Sequence, residues 1–389
     1  MFSATNHIDN SIRHALRETD MQVGRLWRAD PLAPTLRVLD PTETAMPTLP
    51  SSDQRNRKFR RCAKTWRSLI MSKYRKHLPQ TGNGLFLTDG GLETTLVFHD
   101  GRELPCFAAF TLLENETGFA RLRRYFDDYL AIARRHGVGA VLEAPTWRAN
   151  ADWAAKLGYD AAALADVNRR AIGLMLELRD AYETARTPMV IGGNLGPRGD
   201  GYRAEQRMST HEAQTYHARQ IDTFADTDAD LISAFTINYS DEAIGIVAAA
   251  GEADMPAVIS FTVETDGRLP SGETLAEAIE RTDAETGGYV AYYMLNCAHP
   301  THFQTVLNAG GGWRDRIRGL RANASRKSHA ELDESTELDP GNPEELGREY
   351  RDLRTVLPGL NVLGGCCGTD HQHIDAIFHA CAVSASGAG

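Results

Sequence analysis

Six cysteines in 389 residues are too few to staple a disulfide scaffold, so a reducing, cytoplasmic setting is expected with thiols free for metal or chemistry. Long apolar runs are missing as well. None reaches the roughly 18 residues of a membrane span, and the start lacks the charged and then apolar regions of a secretory leader. Positive charge is scarce: 42 Lys and Arg against 52 Asp and Glu give a formal charge of −10. That balance supplies no field to hold a phosphate backbone, so no nucleic-acid partner is expected. No G-x-G-x-x-G follows the first apolar run, which leaves a dinucleotide fold nothing to cradle a pyrophosphate.

What is present divides the chain in two. Residues 1–70 hold twelve Lys and Arg against seven Asp and Glu, include Pro31, Pro34, Pro41, Pro47 and Pro50, and carry the basic run RNRKFRRCAK from Arg55 to Lys64. They show no sustained helical or strand period and read as a polar, disordered N-terminal extension. The basic run is a solvated tail on the plainer reading and a contact for an anionic surface on the other. A further reading starts the functional polypeptide at Met71, because MSKYRKHLPQTGNG leads straight into the first strand. Asp9, Glu18, Asp20 and Asp30 argue against a transit peptide.

Residues 71–389 read as one domain. From Leu85 onward short apolar runs alternate with amphipathic stretches of helical length, the pattern of a parallel sheet. The runs are 85–88, 140–144, 189–193, 230–235, 257–263, 289–296, 317–323 and 361–365. Helical periodicity is clearest in FARLRRYFDDYLAIARRHG, ADVNRRAIGLMLELRDAYETA, STHEAQTYHARQIDTFADT, TLAEAIERTDAET, PEELGREYRDLRTVL and HQHIDAIFHACA. Eight such units predict a (β/α)8 TIM barrel in preference to an open doubly wound sheet.

In a barrel the C-terminal strand ends converge on one face, and chemistry is sought there first. The first predicted strand ends in TDGGLE, the second in EAPTWRAN, the sixth in LNCAHP and the eighth in GGCCGTD. Cys297, Cys366 and Cys367 therefore fall at one rim, with only the seventh strand between the sixth and the eighth. Three thiols suit Zn²⁺, which accepts thiolate sulfur tetrahedrally and would keep a fourth position open. Adjacent cysteines in a regular strand point to opposite faces, so Cys366 and Cys367 share a metal only where the strand breaks, a freedom expected from Gly364, Gly365 and Gly368. The competing readings are a vicinal disulfide, ordinary buried cysteines, or a structural zinc closed by His299 or His371. Cys62, Cys106 and Cys381 are expected off this rim, as packing or surface thiols.

The combination of DGG at Asp89 to Gly91, Asn296-Cys297 and GGCCG at Gly364 to Gly368 resembles the homocysteine S-methyltransferase family, over roughly residues 83–383. The resemblance implies a (β/α)8 fold, zinc on Cys297, Cys366 and Cys367, and methyl transfer to a thiol in methionine biosynthesis. It also implies that Asp89 holds the substrate ammonium, with the amides of Gly90 and Gly91 near its carboxylate and Asn296 beside the pocket. Chemically, a free thiol has a pKa of about 8.5, and coordination to zinc removes its proton. The bound sulfur then suits attack on a methyl carried by a sulfonium or ammonium.

Many family members place a Glu on the fourth strand, where LISAFTINYS offers Ala234 and no carboxylate before Asp241. Glu143 ends the second strand and either supplies the missing negative charge or salt-bridges Arg148 or another arginine at a helix start. Trp147 follows in the same loop, as a cation–π face for a methyl donor or as a cover for the barrel mouth. The expected substrates are a thiol acceptor, homocysteine or a relative, and a small cationic donor such as S-methylmethionine, S-adenosylmethionine or betaine. Alternatives are an acceptor-thiol module of a corrinoid-dependent system and a non-catalytic thiol or metal binder. Assembly into a homo-oligomer is left open. RGD at 198–200, the Asn323-Ala324-Ser325 sequon and HQH at 371–373 are set aside as chance or surface features.

Overall fold

The computed structural model describes residues 72–382. The N-terminal extension, its basic run, Cys62 and the proposed start at Met71 lie outside the described residues. Eight parallel strands close a barrel in sequential order: β1 (Phe86–Leu87), β2 (Gly139–Glu143), β3 (Met189–Leu195), β4 (Leu231–Ile237), β5 (Ala257–Phe261), β6 (Val290–Asn296), β7 (Ile317–Ala322) and β8 (Val362–Gly365). The ring closes where Phe86 and Leu87 of β1 pair with Val362 and Leu363 of β8. This is the expected TIM barrel.

A helix follows each strand: α1 (Glu116–His136), α2 (Ala161–Tyr182), α3 (Thr210–Ala225), α4 (Ser240–Glu252), α5 (Leu275–Thr286), α6 (Pro300–Asn308), α7 (Pro343–Val356) and α8 (His371–Ala382). Local sequence fixes their ends. Ser209 with Glu212 and Thr274 with Glu277 form capping boxes that satisfy the first amides of α3 and α5. The helix α1 starts on the Asn115 side chain and stops at Gly137, left-handed at φ 65. Its buried stripe of Leu122, Tyr125, Phe126, Tyr129 and Leu130 faces the barrel, and truncating Phe126 to Ala would cost about 3–5 kcal/mol. The helix α4 lacks a visible amphipathic period because Ala243, Ile244, Gly245, Ile246 and Val247 are all buried. No helix among the described residues is long and apolar enough to cross a membrane.

Alternation along the strands sorts side chains into two cores. Phe86, Val141, Val190, Leu231, Val258, Tyr292 and Val362 fill the barrel, while Leu87, Leu142, Ile191, Ile232 and Ile259 pack under the helices. At the N-terminal end Leu78 joins the inner cluster, and Asn361 ties that segment down by donating to the carbonyls of Gln80, Gly82 and Gly84. At the β4–β5 seam the strand ends depart from the sequence pattern by two residues on each partner, β4 running on to Ile237 and β5 stopping at Phe261, and β3 likewise runs two residues on, to Leu195. The cause at the seam is a register shift between Ala234 and Ile237, where Thr236 takes φ 61.

Candidate active site

At the C-terminal mouth a cavity of about 550 Å³ opens over the ends of β1, β2, β4, β6, β7 and β8. All three rim cysteines border it. Strand β6 ends at Asn296, and Cys297 turns left-handed at φ 56, with its amide donating to Arg321 O at 3.1 Å. Strand β8 ends at Gly365, and the Cys366 amide donates to Ala322 O at 2.8 Å. Both cysteines are thus hung on β7, and the Sγ atoms of Cys297, Cys366 and Cys367 lie within 4.8 Å of one another. The Cα atoms of Cys297 and Cys366 are 5.4 Å apart, with their sulfurs within disulfide reach, while Cys367 is a free thiol. The vicinal Cys366–Cys367 disulfide is therefore not formed.

Several expectations need correction. Of the three glycines, only Gly368 has a left-handed backbone, at φ 79. Gly364 and Gly365 remain in the strand, and their role is close approach: a Cβ on either would overlap Thr88 or Thr369. His299 is not a fourth ligand, because its ring faces Thr301 and Glu349 while it caps α6. His371 is exposed at the start of α8 and outside the cysteine group. Cys106, expected off the rim, lines the same cavity; Cys381 is buried in the outer core.

Asn296 spends its hydrogen bonds inside the protein. Its Oδ1 accepts from the Thr236 amide at 2.9 Å and from Ser260 Oγ at 2.7 Å, and its Nδ2 donates to Thr236 Oγ1 at 2.8 Å and to Cys297 Sγ at 3.1 Å. It aims and stabilises a sulfur and has no group left for a substrate. Asn323 Nδ2 donates to Cys297 O at 3.0 Å, and His329 Nε2 bonds the same carbonyl at 2.5 Å. Burial pushes the Cys367 thiol up to about 11, with Glu93 adding to the shift, so this sulfur keeps its proton unless a cation sits beside it.

Asp89 lies just past the end of β1, and both its carboxylate oxygens are engaged. Arg321 Nη1 donates to Oδ1 at 2.6 Å, and Tyr125 Oη donates to Oδ2 at 3.0 Å. Arg321 also donates to Thr88 Oγ1 and to the Gly90 carbonyl, both at 3.0 Å. The Gly91 amide donates to Thr369 O at 3.0 Å and is not free for a ligand. Sequence reasoning missed Arg321 and Tyr125. A charged residue at an inward position near the end of a predicted strand was the available signal for Arg321.

On β4 the inward side chains are Ser233 and Phe235, whereas Ala234 belongs to the helix-facing core. The strand indeed brings no carboxylate inward, but Ala234 is not the position that matters. Glu143 reaches across from β2 through the gap left by Gly192, where any Cβ would overlap its Oε2. There Oε1 accepts from Ser233 Oγ at 2.9 Å, and Oε2 is buried without a hydrogen-bond partner. Glu143 is 5% exposed, and burial lifts its carboxyl to about 7, with Arg321 and Ser233 opposing the rise and Asp89 adding to it. It makes no ion pair with Arg148. That guanidinium instead lies between two indoles, 4.0 Å from the ring centroids of Trp147 and of Trp153. Trp147 donates its Nε1 to Phe235 O at 3.3 Å, and Arg148 covers one of its faces, so it is part of the wall.

The three cysteines fit a thiophilic metal by their convergence, their fixed strand ends and the neighbouring cavity for another ligand, with Cys297 and Cys366 then held as separate thiolates in place of the disulfide that joins them. The pattern of the family described as homocysteine S-methyltransferase matches residues 86–381. No curated protein matches the sequence. Among solved structures, the homocysteine methyltransferase MmuM from Escherichia coli is similar in its oxidized form, with 20% identity over 78% of this chain and 99% of that one and a TM-score of 0.62. Its metallated form is similar at 19% identity, 79% and 99% coverage and the same TM-score of 0.62. At that identity the likeness speaks for the barrel, while the family match spans every strand and all three rim cysteines. This chain belongs to the homocysteine S-methyltransferase family of methyltransferases.

Proposed function

We propose that the chain is a zinc-dependent S-methyltransferase that moves a methyl group from a small cationic donor to homocysteine or a closely related thiol. The observation that carries this reading is the convergence of Cys297, Cys366 and Cys367 within 4.8 Å beside the cavity. Zinc bound there would hold the acceptor sulfur as a thiolate at neutral pH.

The protein's own groups account for the rest of the work. Asn296 donates to Cys297 Sγ and steadies its thiolate charge. Glu143 offers the acceptor's ammonium a carboxylate oxygen that nothing else occupies, beside the very strand from which many family members project their Glu. Asp89 shapes the pocket through its pair with Arg321, so the ammonium contact passes from Asp89 to Glu143. The enclosing walls hold donor and acceptor together and exclude water.

The test loads the full chain with zinc, adds homocysteine, and follows methionine by mass spectrometry with S-methylmethionine, S-adenosylmethionine or betaine as donor. Methionine from one donor, lost in Cys366→Ser, is the expected result. Full zinc occupancy without product from any donor would overturn the reading.

A further inference from the structure

We propose that Arg148 is the anion-recognition residue of this cavity and that it takes the carboxylate of a substrate. The inference rests on the reading of the cavity as the methyl-transfer site and names what that site selects. Arg148 lines the cavity and is only 8% exposed, yet among the described residues it forms no ion pair. Its one hydrogen bond runs from Nη1 to Gly199 O at 3.2 Å, and Nε is buried without a partner. A cation held this deep without an ion-pair partner in contact is costly, and a ligand carboxylate would complete it.

Its mounting supports the same conclusion. The guanidinium carbon lies 4.0 Å from the ring centroids of both Trp147 and Trp153, and Trp147 is in turn anchored on the Phe235 carbonyl. The two indoles cover the guanidinium carbon, and the N–H groups of the fork that Gly199 does not take are its remaining binding surface, the part that matches a carboxylate. Glu93 and Asp200 act on Arg148 through space without bridging it. Acids at that range disfavour a phosphate dianion and suit a zwitterion, whose ammonium they attract while its carboxylate meets the arginine. Homocysteine and S-methylmethionine both carry that pair of groups, so the shared chemistry is an amino-acid carboxylate.

Calorimetric binding to the zinc-loaded full chain decides between the sources. Homocysteine is compared with 3-aminopropanethiol, which lacks its carboxylate, and S-methylmethionine with (3-aminopropyl)dimethylsulfonium, in the wild type, Arg148→Gln and Arg148→Lys. The glutamine variant is expected to weaken one or both amino acids by about ten- to a hundredfold and to leave the matching decarboxylated analogue unchanged. The substrate affected identifies whose carboxylate is held. Lysine, which keeps charge without the fork, is expected to fall between, and it carries the same comparison should the glutamine variant fail to fold. Equal weakening of an amino acid and its analogue, or no weakening of either amino acid, overturns the proposal. Because binding is measured directly, failure of turnover with every donor would sink the proposed function and leave this test standing.

Discussion

Arg321 and Asp89 are 232 residues apart in sequence and meet at 2.6 Å, joining the end of β7 to the end of β1 beneath the cavity. Both are buried, so the pair is costly to break on one side only. Arg321→Met is expected to lower stability by about 3–5 kcal/mol in urea unfolding, and Asp89→Asn by a similar amount. Joining the two substitutions should recover part of the loss; simple additivity would show that the pair is not coupled.

Glu143 sets a pH dependence with a definite sign. Its carboxyl ionises near 4.5 in the unfolded chain and near 7 in the folded one. Between those values the folded protein holds the extra proton, so stability falls as pH rises and levels off above about 7. Glu143→Gln should flatten this fall by roughly 3 kcal/mol, measured between pH 4 and 8 on metal-free protein. Glu93, also lifted to about 7 by burial, keeps its own share in both proteins. An unchanged profile would place the Glu143 proton elsewhere.

Metal content tests the sulfur trio directly. Cys297→Ser, Cys366→Ser and Cys367→Ser should each purify with little zinc, while Cys106→Ser and Cys381→Ser keep about one ion per chain. Full zinc in any of the first three would remove that residue from the ligand set.

Asn296 links the barrel interior to the cysteine rim. Asn296→Leu leaves the Thr236 amide and the Ser260 hydroxyl without their acceptor, at about 1–3 kcal/mol for each stranded donor. It also removes the donor to Cys297 Sγ, and zinc affinity measured against a chelator is expected to drop about ten- to a hundredfold.

The barrel and the cysteine trio were legible because each leaves a local trace: apolar runs at regular intervals, and paired thiols beside glycines at a strand end. Cross-barrel partnerships leave none. Nothing near Asp89 announces that Arg321 and Tyr125 will occupy its oxygens, and nothing near Glu143 announces that Gly192 will make room for it to reach Ser233. Ala234 illustrates the same limit, since one residue of register decides whether a β4 side chain meets the cavity or a helix. Arg148 is one of the counter-ions the sequence offers Glu143, because charge is visible in a sequence and contact with two indoles is not.

The pairing of β1 with β8 sets an order of events during synthesis. Cys366 and Cys367 leave the ribosome 69 residues or more after Cys297, by which point all eight strands have been made. A chain that stops before Cys366 owns a single rim thiol, so the sulfur trio is complete only once the last strand has been made.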